Sequence, residues 1–189
     1  MSALLSVEDL RVEFASRRGP VRVLNGVSFE IREGETLGLL GESGSGKSVT
    51  GLTILGLLPK GKGRVAGGAV TFDAKVVSRF SEDEMRALRG KTMSMILQDP
   101  LTSLNPVFEI GWQIAESLKL HKIVPIDRVR ARTIEMLRRL RIPAPEARLA
   151  SFPHQFSGGM RQRVVAAIAL ASDPKLLIAD EPKIGRAHV

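Results

Sequence analysis

The amino-acid sequence predicts an α/β fold with an antiparallel β part at the N-terminus and a helical insertion before the last strand. Three patterns support this prediction. Apolar and polar residues alternate over residues 4–31, short apolar runs follow later in the chain, and residues 99–153 contain no strand pattern. Alternation with a period of two is typical of half-buried strands, and short uninterrupted apolar runs are typical of parallel strands buried on both faces.

The first half of the chain is predicted to alternate between strands and short connections. Residues 4–14 and 21–31 form two strands joined by the turn-rich segment ASRRGP, and Glu33–Gly34 turns the chain into the buried parallel strand ETLGLL. A glycine-rich loop follows, and then a helix that continues to Pro59. Residues 63–77 return to strand and turn.

The second half is predicted to be mainly helical. Ser81 and Glu84 have the spacing of a capping box, so a short helix begins there, and TMSMIL is a buried strand that ends at Gln98. Helices are expected at 110–120 and 127–140, then in SGGMRQRVVAAIALA, before a last apolar strand in KLLIAD.

Composition excludes several classes of protein. The 189 residues suffice for one domain, or for a core with an inserted subdomain, and no apolar run approaches the roughly 20 residues that span a bilayer. The N-terminal residues carry acids, so no signal peptide is expected. Because the chain has no cysteine, disulfides and cysteine-bound metals are excluded, which fits a reducing compartment.

The net charge of +8 has two interpretations. It could serve nucleic acid or an anionic membrane surface, or it could be a solvated basic face. We favour the basic face, because the arginines concentrate around an expected apolar stripe of Val129, Ile134, Leu137 and Ile142, with the arginines outside. The absence of tyrosine and the single tryptophan argue against nucleic-acid binding by base stacking.

The segment GESGSGKS fits the pattern G-x-x-x-x-G-K-[ST] and lies between a predicted strand and a predicted helix. In such a P-loop, backbone N–H groups and the positive end of the helix surround phosphate oxygens. Lys47 contributes a charge to the β- and γ-phosphates and Ser48 offers a hydroxyl to Mg²⁺. The candidate phosphate-binding residues are Gly41, Glu42, Ser43, Gly44, Ser45, Gly46, Lys47 and Ser48.

Two carboxylates follow the last predicted strand. The apolar residues 176–179 deliver Asp180 and Glu181 to the carboxyl end of that strand, where ligands collect in open α/β sheets. Asp180 is expected to hold Mg²⁺, and Glu181 to act as the general base toward water.

A second phosphate-type loop occurs at FSGGMRQR, where Ser157, Gly158 and Gly159 begin a helix. A helix N-terminus with small residues can receive an anion, although a serine N-cap after a glycine-containing loop also occurs in proteins of every kind. One triphosphate does not require two such loops.

The segment LQDP lies between the two loops, so that four motifs follow one another between Gly41 and Pro182. In these motifs and in their order, the sequence resembles the ATP-binding cassette (ABC) ATPases. The resemblance implies a P-loop NTPase core, ATP and Mg²⁺ as cofactors, and ATP hydrolysis. It also implies that the signature helix of one subunit, which starts at Ser157, caps the γ-phosphate held by the P-loop of its partner. ATP then joins a head-to-tail dimer, which explains the second loop.

The resemblance assigns two further residues. Gln98 matches the glutamine that reaches Mg²⁺ and couples the site to the helical subdomain. It is therefore a catalytic candidate, as are Lys47 and Glu181, and a metal-binding candidate, as are Ser48 and Asp180. Phe14 lies near the position at which the family stacks an aromatic ring on adenine, and a core phenylalanine on an amphipathic strand is equally compatible.

Longer segments, GETLGLLGESGSGKSVT, LQDPLTSLNP and FPHQFSGGMRQR, are similar to the ATP-binding subunits of bacterial oligopeptide, dipeptide and nickel importers. This implies a peripheral protein on the cytoplasmic face of the membrane. Its expected partners are a second ATPase subunit, identical or different, transmembrane permease subunits and, indirectly, a substrate-binding protein, with no nucleic acid. A groove for the permease would be lined by Leu101, Leu104, Val107 and Trp112, although a core role suits Trp112 equally well.

Two alternative functions remain open. One is a non-transport ABC ATPase that acts on DNA or ribosomes, although about 110 residues between P-loop and signature leave no room for the long coiled coil of chromosome and repair ATPases. The other is an inactive nucleotide-binding fragment.

The predicted regions are a nucleotide-binding core with the antiparallel part (1–98), a helical subdomain (99–153), the signature helix with the second acidic strand, called Walker B (154–182), and a tail (183–189). In the family a Thr or Ser, a loop ending in Asp, a further strand and a switch histidine follow the acid pair. His154 belongs to the signature loop and His188 lies too close to Glu181 to be that histidine.

The tail is interpreted as an artefact. IGRAHV is what a common sequencing adapter spells in one reading frame, and Lys183 would be a hybrid codon. The resemblance implies that a central strand of the sheet is missing, which leaves backbone hydrogen bonds unmade. We therefore expect the chain as written to fold poorly and to bind nucleotide weakly.

Overall fold

The computed structural model describes residues 3–97 and 103–181, which belong to two compact units, 1–87 and 88–189. The predicted artefactual tail, Gln98 and Leu101 lie outside the described residues. The strands are β1 (Leu5–Ser16), β2 (Gly19–Ile31), β3 (Gly63–Phe72), β4 (Lys75–Val76), β5 (Met93–Ile96) and β6 (Leu176–Ala179). The α-helices are α1 (Lys47–Ile54), α2 (Glu82–Leu88), α3 (Ile110–Leu120), α4 (Val129–Arg139), α5 (Pro145–Arg148) and α6 (Gly158–Leu170).

The first unit contains an antiparallel sheet in the order β2-β1-β3-β4, as the alternating pattern predicts. The inward positions of β1 shift from Leu5 and Val7 to Leu10 and Val12, all of which are buried. A bulge between Val7 and Leu10 causes this shift, because one extra residue exchanges the two faces of a strand. The hydrophobic face of β1 therefore stays continuous across an irregular register.

Two predictions for the first unit are wrong. Residues 35–40 do not form a buried strand: they are exposed, and within the described residues no strand pairs with them. Helix α1 ends at Ile54 rather than near Pro59. The helix ends because Gly56 adopts a left-handed conformation. In this conformation Gly56 N donates to Thr53 O at 3.0 Å and Leu57 N donates to Leu52 O at 2.8 Å.

The second unit is built around a parallel pair of strands. Strands β5 and β6 pair in register from Met93 opposite Leu176 to Ile96 opposite Ala179. Helix α6 packs against β5 and against helices α3 and α4. The resulting core joins the helical insertion to α6 in one cluster, which includes Ile114, Met136 and Val164, all fully buried.

The expected features of the second unit are confirmed in part. The apolar stripe of α4 and the following turn is buried, with Leu137 fully inaccessible. Strand β6 is less covered than predicted: Leu176 is buried but Leu177 is exposed, since the described residues place a strand on only one side of β6. Of the arginines expected outside, Arg132 has a side chain only 15% exposed.

A capping box fixes the start of α2, as predicted. Ser81 N and Oγ donate to Glu84 Oε2 at 2.7 and 2.8 Å, and Glu84 N donates to Ser81 Oγ at 3.4 Å. Hydrogen bonds from the Ser81 backbone and side chain lower the pKa of Glu84 below its ordinary 4.5. The ionised carboxylate therefore stabilises the helix at pH values above the ordinary pKa of 4.5, and this stabilisation is lost as the pH falls through the lowered pKa of Glu84.

We predict that Ser81→Ala reduces the helix content of a peptide spanning residues 77–91 at neutral pH, because both hydrogen bonds of the hydroxyl are lost, the one it donates to the Glu84 carboxylate and the one it accepts from Glu84 N. Circular dichroism across the acid range measures this. The difference between parent and variant should shrink as Glu84 becomes protonated, and Ser81→Thr, which keeps a hydroxyl, should behave like the parent. A difference that is independent of pH would contradict the proposed role of the carboxylate.

Candidate nucleotide-binding site

The P-loop lies directly before α1, as the sequence predicts. Gly46 is the N-cap residue with a φ of 96°, and no side-chain cap bond is made at this N-terminus. A left-handed N-cap turns the loop into the helix so that the first-turn backbone N–H groups face the loop. Backbone N–H groups and the helix dipole at such an end attract anions, which makes this the natural place for phosphate.

Lys47 crosses the P-loop and binds its carbonyl groups. Its Nζ donates to Gly41 O at 2.8 Å and to Glu42 O at 2.7 Å. An ammonium group has three donors, so one remains for another acceptor. The two bonds hold the positive charge over the exposed loop, where phosphate oxygens can reach it.

The loop is also fixed against the sheet. A Cβ at Gly46 would lie 2.5 Å from Leu24 Cδ2, on strand β2. A Cβ at Gly41 would lie 2.6 Å from Ser45 Oγ, so the two ends of the loop approach each other closely. The left-handed backbone of Gly46 favours glycine, and a side chain at either position would have to displace the side chain of Leu24 or Ser45.

The position of Phe14 is compatible with both of its predicted roles, stacking on adenine and packing as a core residue of an amphipathic strand. It pairs with Val21 on β2 and with Gly63 on β3, and its ring edge lies 3.2 Å from the position of a Gly63 Cβ. The half-buried ring also lines a cleft of about 460 Å³ together with Lys62 and Arg64. A cleft of this size, with an aromatic wall, is suitable for a nucleobase.

The signature loop lies in the second unit. Ser157 caps α6 and accepts a hydrogen bond from Met160 N at 3.4 Å. Gly158 and Gly159 are exposed, and a Cβ at either position would meet no atom within 4 Å. Nothing in the described part of the chain therefore requires glycine at these two positions.

Sequence reasoning did not identify the residues that support this loop. Arg161 Nε donates to Pro153 O at 2.8 Å and to Phe156 O at 3.0 Å, which ties the first turn of α6 to the preceding segment. Phe156 is buried, and the Arg148 guanidinium lies 5.5 Å from its ring centroid. The available signal was the phenylalanine directly before the serine, since an apolar residue at that position can anchor a helix start.

The acid pair lies at the carboxyl end of β6, as predicted. Asp180 N donates to Ile96 O at 2.9 Å, so Asp180 continues the ladder with β5. Glu181 is exposed and has a φ of 46°, a left-handed conformation that few residues other than glycine adopt. The conformation turns the chain sharply at the point where the strand ends.

The available oxygen donors are compatible with Mg²⁺. Each unit offers one oxygen group of the kind that Mg²⁺ prefers, the Ser48 hydroxyl in the first unit and the Asp180 carboxylate in the second. Within residues 3–97 and 103–181 no three His, Cys, Asp or Glu side chains are grouped to hold a metal ion. Mg²⁺ bound with a nucleotide commonly relies on one or two protein groups, water and the phosphates, so a complete protein cage is not needed.

The chain matches the ABC transporter family over residues 24–183, a range that contains both loops and the acid pair. The chain belongs to this family.

Curated members of the ABC transporter family are similar along almost the entire chain. It is 49% identical to the oligopeptide transport ATP-binding protein OppD of Bacillus subtilis over 96% of its length, and 48% identical to the dipeptide transport ATP-binding protein DppD of the same organism over 96%. OppD of Escherichia coli is 48% identical over 95%. The chain spans about half of these relatives, 51%, 54% and 53% of their lengths.

Solved structures show the ABC ATPase fold. The cassette MJ0796, in a dimeric post-hydrolysis state bound to ADP and Pi, superposes with a TM-score of 0.83 at 25% identity and covers 95% of this chain and 74% of its own. A second dimeric structure of MJ0796, a bacterial ABC transporter cassette, gives 0.82 at 26% identity, with coverages of 94% and 74%. The predicted fold class is thereby confirmed.

We predict that Lys47→Met lowers the affinity of the chain for ATP by about 30-fold, since a hydrogen bond to a charged group contributes about 2 kcal/mol. Equilibrium dialysis with labelled ATP measures the change. Lys60→Met serves as the matched control, because Lys60 is an exposed lysine of the same unit outside the P-loop. Equal affinities of the two variants for ATP would contradict a role of Lys47 in nucleotide binding.

Proposed function

We propose that the chain is the nucleotide-binding part of the ATPase subunit of an ABC importer for peptides, and that this subunit binds and hydrolyses ATP with Mg²⁺. The names of the relatives support the transport assignment, since OppD and DppD are oligopeptide and dipeptide transport ATP-binding proteins. The location that suits this function is the cytoplasmic face of the membrane, with permease subunits and a substrate-binding protein as the further components.

The observation that carries the proposal is the contrast between the two glycine-containing loops. Gly44 and Gly46 of the P-loop have left-handed backbone conformations, with φ of 81° and 96°, that favour glycine, whereas Gly158 and Gly159 lie outside this conformation and have open space around them. Glycine at the start of a helix is less favourable than alanine unless something approaches closely. We infer that a second ATPase subunit brings its nucleotide to this surface, an arrangement that the dimeric MJ0796 structures support.

The chemistry follows from the residue types at each position. Lys47 neutralises the β- and γ-phosphates, and Ser48, Asp180 and, outside the described residues, Gln98 are the proposed ligands of Mg²⁺. Bound Mg²⁺ supplies charge neutralisation on the phosphate oxygens. Glu181 lies exposed after the last strand, where it can accept a proton from the attacking water.

A docking surface for the permease is proposed at the start of α3. Val107 is 71% exposed, and the rings of Phe108 and Trp112 stack with centroids 4.3 Å apart and remain accessible. We call Val107, Phe108 and Trp112 the α3 apolar patch. Leu104, which was expected beside them, is instead buried in the core.

Gln113 holds this patch in shape. Its Nε2 donates to Asn105 O at 3.0 Å and to Phe108 O at 2.9 Å, and its Oε1 accepts from Asn105 N at 3.0 Å. The buried Gln113 amide therefore provides the hydrogen bonds that these backbone groups of the loop would otherwise need from a neighbouring strand. A surface fixed in this way can receive an apolar segment without first becoming ordered.

The function is tested in a fusion protein in which residues 1–181 are followed by the part of Bacillus subtilis OppD that comes after the matched region. In it, Glu181→Gln should abolish phosphate release while ATP binding persists, because an amide cannot take a proton from water. Phosphate release and equilibrium dialysis measure the two quantities. Undiminished hydrolysis would refute the role of Glu181 as base.

Gly158→Ala is predicted to separate folding from assembly. Because its Cβ would meet no other side chain or segment of the described residues within 4 Å, the far-UV circular dichroism of the chain should not change. In the Glu181→Gln fusion protein, the same substitution should prevent ATP-dependent dimerisation, measured by analytical ultracentrifugation. Ala147→Gly, on the exposed side of α5, is the control and should leave dimerisation intact. Normal dimers of the Gly158→Ala protein would contradict a nucleotide site shared between subunits.

A further inference from the structure

The connection between α3 and α4 is a fixed turn. It starts with Ile123 N donating to Leu118 O at 3.0 Å and ends with Arg128 N donating to Pro125 O at 2.9 Å. Ile123 and Val124 in its centre pack against the core of the second unit. The side chains of this turn are therefore presented in one arrangement.

Two aliphatic side chains of this turn face solvent. Leu120 is 72% exposed and Ile126 is 74% exposed, whereas Ile123 and Val124 between them are half-buried. Ile126 forms part of the wall of a recess of about 430 Å³ that Ile123 and Val124 also line, and Leu120 is the last residue of α3, directly before the turn. Isolated exposed aliphatic residues are ordinary, but two of them next to one anchored turn, together with a recess, expose apolar surface at this end of α3.

The same surface carries positive charge. Lys119 and Lys122 line the recess, and no acidic residue does. Arg128 and Arg130 follow within the next residues, against Asp127 as the one acid between 119 and 130, whose carboxylate lies 3.8 Å from Arg128 Nε. Burial and, second to it, the nearby Lys91 lower the pKa of His121, which favours the neutral form of this residue.

We propose that this surface, the α3–α4 patch of Lys119, Leu120, Lys122 and Ile126, binds a lipid bilayer that contains anionic phospholipid. Aliphatic side chains enter the boundary between headgroups and acyl chains, and flanking lysines meet the phosphate groups. Lysine stems can lie along the apolar surface while their charges remain at the headgroups. A nucleic acid would satisfy the lysines but offers no apolar phase for Leu120 and Ile126.

A bilayer contact of this kind adds a direct interaction with lipid to the contacts with a permease. It uses neither the P-loop nor the signature loop, so it is independent of the proposed ATPase function. No helix among residues 3–97 and 103–181 is long and apolar enough to cross a membrane. The proposed contact needs only the side chains of one turn.

The test measures binding of the intact chain to vesicles of phosphatidylcholine, with or without about one third phosphatidylglycerol, by co-sedimentation. The chain should bind only the anionic vesicles. Lys119→Gln with Lys122→Gln should weaken binding by about 25-fold, since each lysine near an anionic surface contributes roughly a factor of five. Leu120→Ser with Ile126→Ser should weaken it by about tenfold or more.

Matched variants distinguish this surface from general attraction to a basic protein. Arg17→Gln with Arg18→Gln removes two exposed charges from the β1–β2 turn and should change binding by less than about twofold. Equal losses for the arginine and lysine pairs, or unchanged binding of the Leu120 and Ile126 variant, would overturn the proposal. A change in sedimentation of the aliphatic variant without vesicles would show instead that a second copy covers the patch, which also overturns it.

A spectroscopic measurement reports whether this turn enters the bilayer in the bound protein. The chain has no cysteine, so Leu120→Cys can be labelled uniquely with an environment-sensitive dye. Its emission should shift to the blue on anionic vesicles, whereas the dye on Val76→Cys, in the first unit, should not shift. An unshifted spectrum at position 120 with bound protein, or equal shifts at both positions, would contradict insertion of this turn.

Discussion

The packing of helix α6 in the core of the second unit is the interaction on which the candidate site depends. Its middle consists of small and branched residues, and Val164 and Ala167 are completely buried against β5, α3 and α4. Small side chains allow a helix to approach its neighbours closely, which leaves little freedom for tilt or rotation. Because Ser157 begins this helix and a five-residue turn leads from it to β6, its position determines both the signature loop and the start of the acidic strand.

The turn after α6 is held by charge as well as by apolar contact, since Ala171 is fully buried in the core of the second unit. Arg132 of α4 donates to Ala171 O at 3.5 Å and to the Asp173 carboxylate, and it pairs with Glu135 at 2.9 Å. Arg139 reaches the same aspartate at 3.3 Å. A side chain that binds both the last carbonyls of a helix and the next turn fixes the direction in which the chain leaves. Part of the basic composition therefore serves the interior geometry of this unit, and only the remainder is a solvated face.

Features encoded locally were predictable from the sequence, and features that depend on distant partners were not. The capping box at Ser81, the bounds of α3 and the N-cap at Ser157 depend on residues within one helical turn, and all three agree with the structure. The segment 35–40 has the composition of a buried strand, but a strand is buried only when other segments cover it. The same limit applies to Leu177, which is exposed although its strand is correctly placed.

The two glycine-containing loops show why a motif alone cannot give the role of its residues. Both combine glycine with serine at the start of a helix, and both were identified as phosphate sites for the same physical reason. The structure separates them: Gly46 has a left-handed backbone conformation that favours glycine, whereas Gly158 has an ordinary conformation and open space among the described residues. Space that the fold leaves open at a helix N-terminus can admit a ligand without rearrangement of the backbone. The backbone of the P-loop therefore accounts for glycine at position 46, whereas the described residues do not account for glycine at position 158.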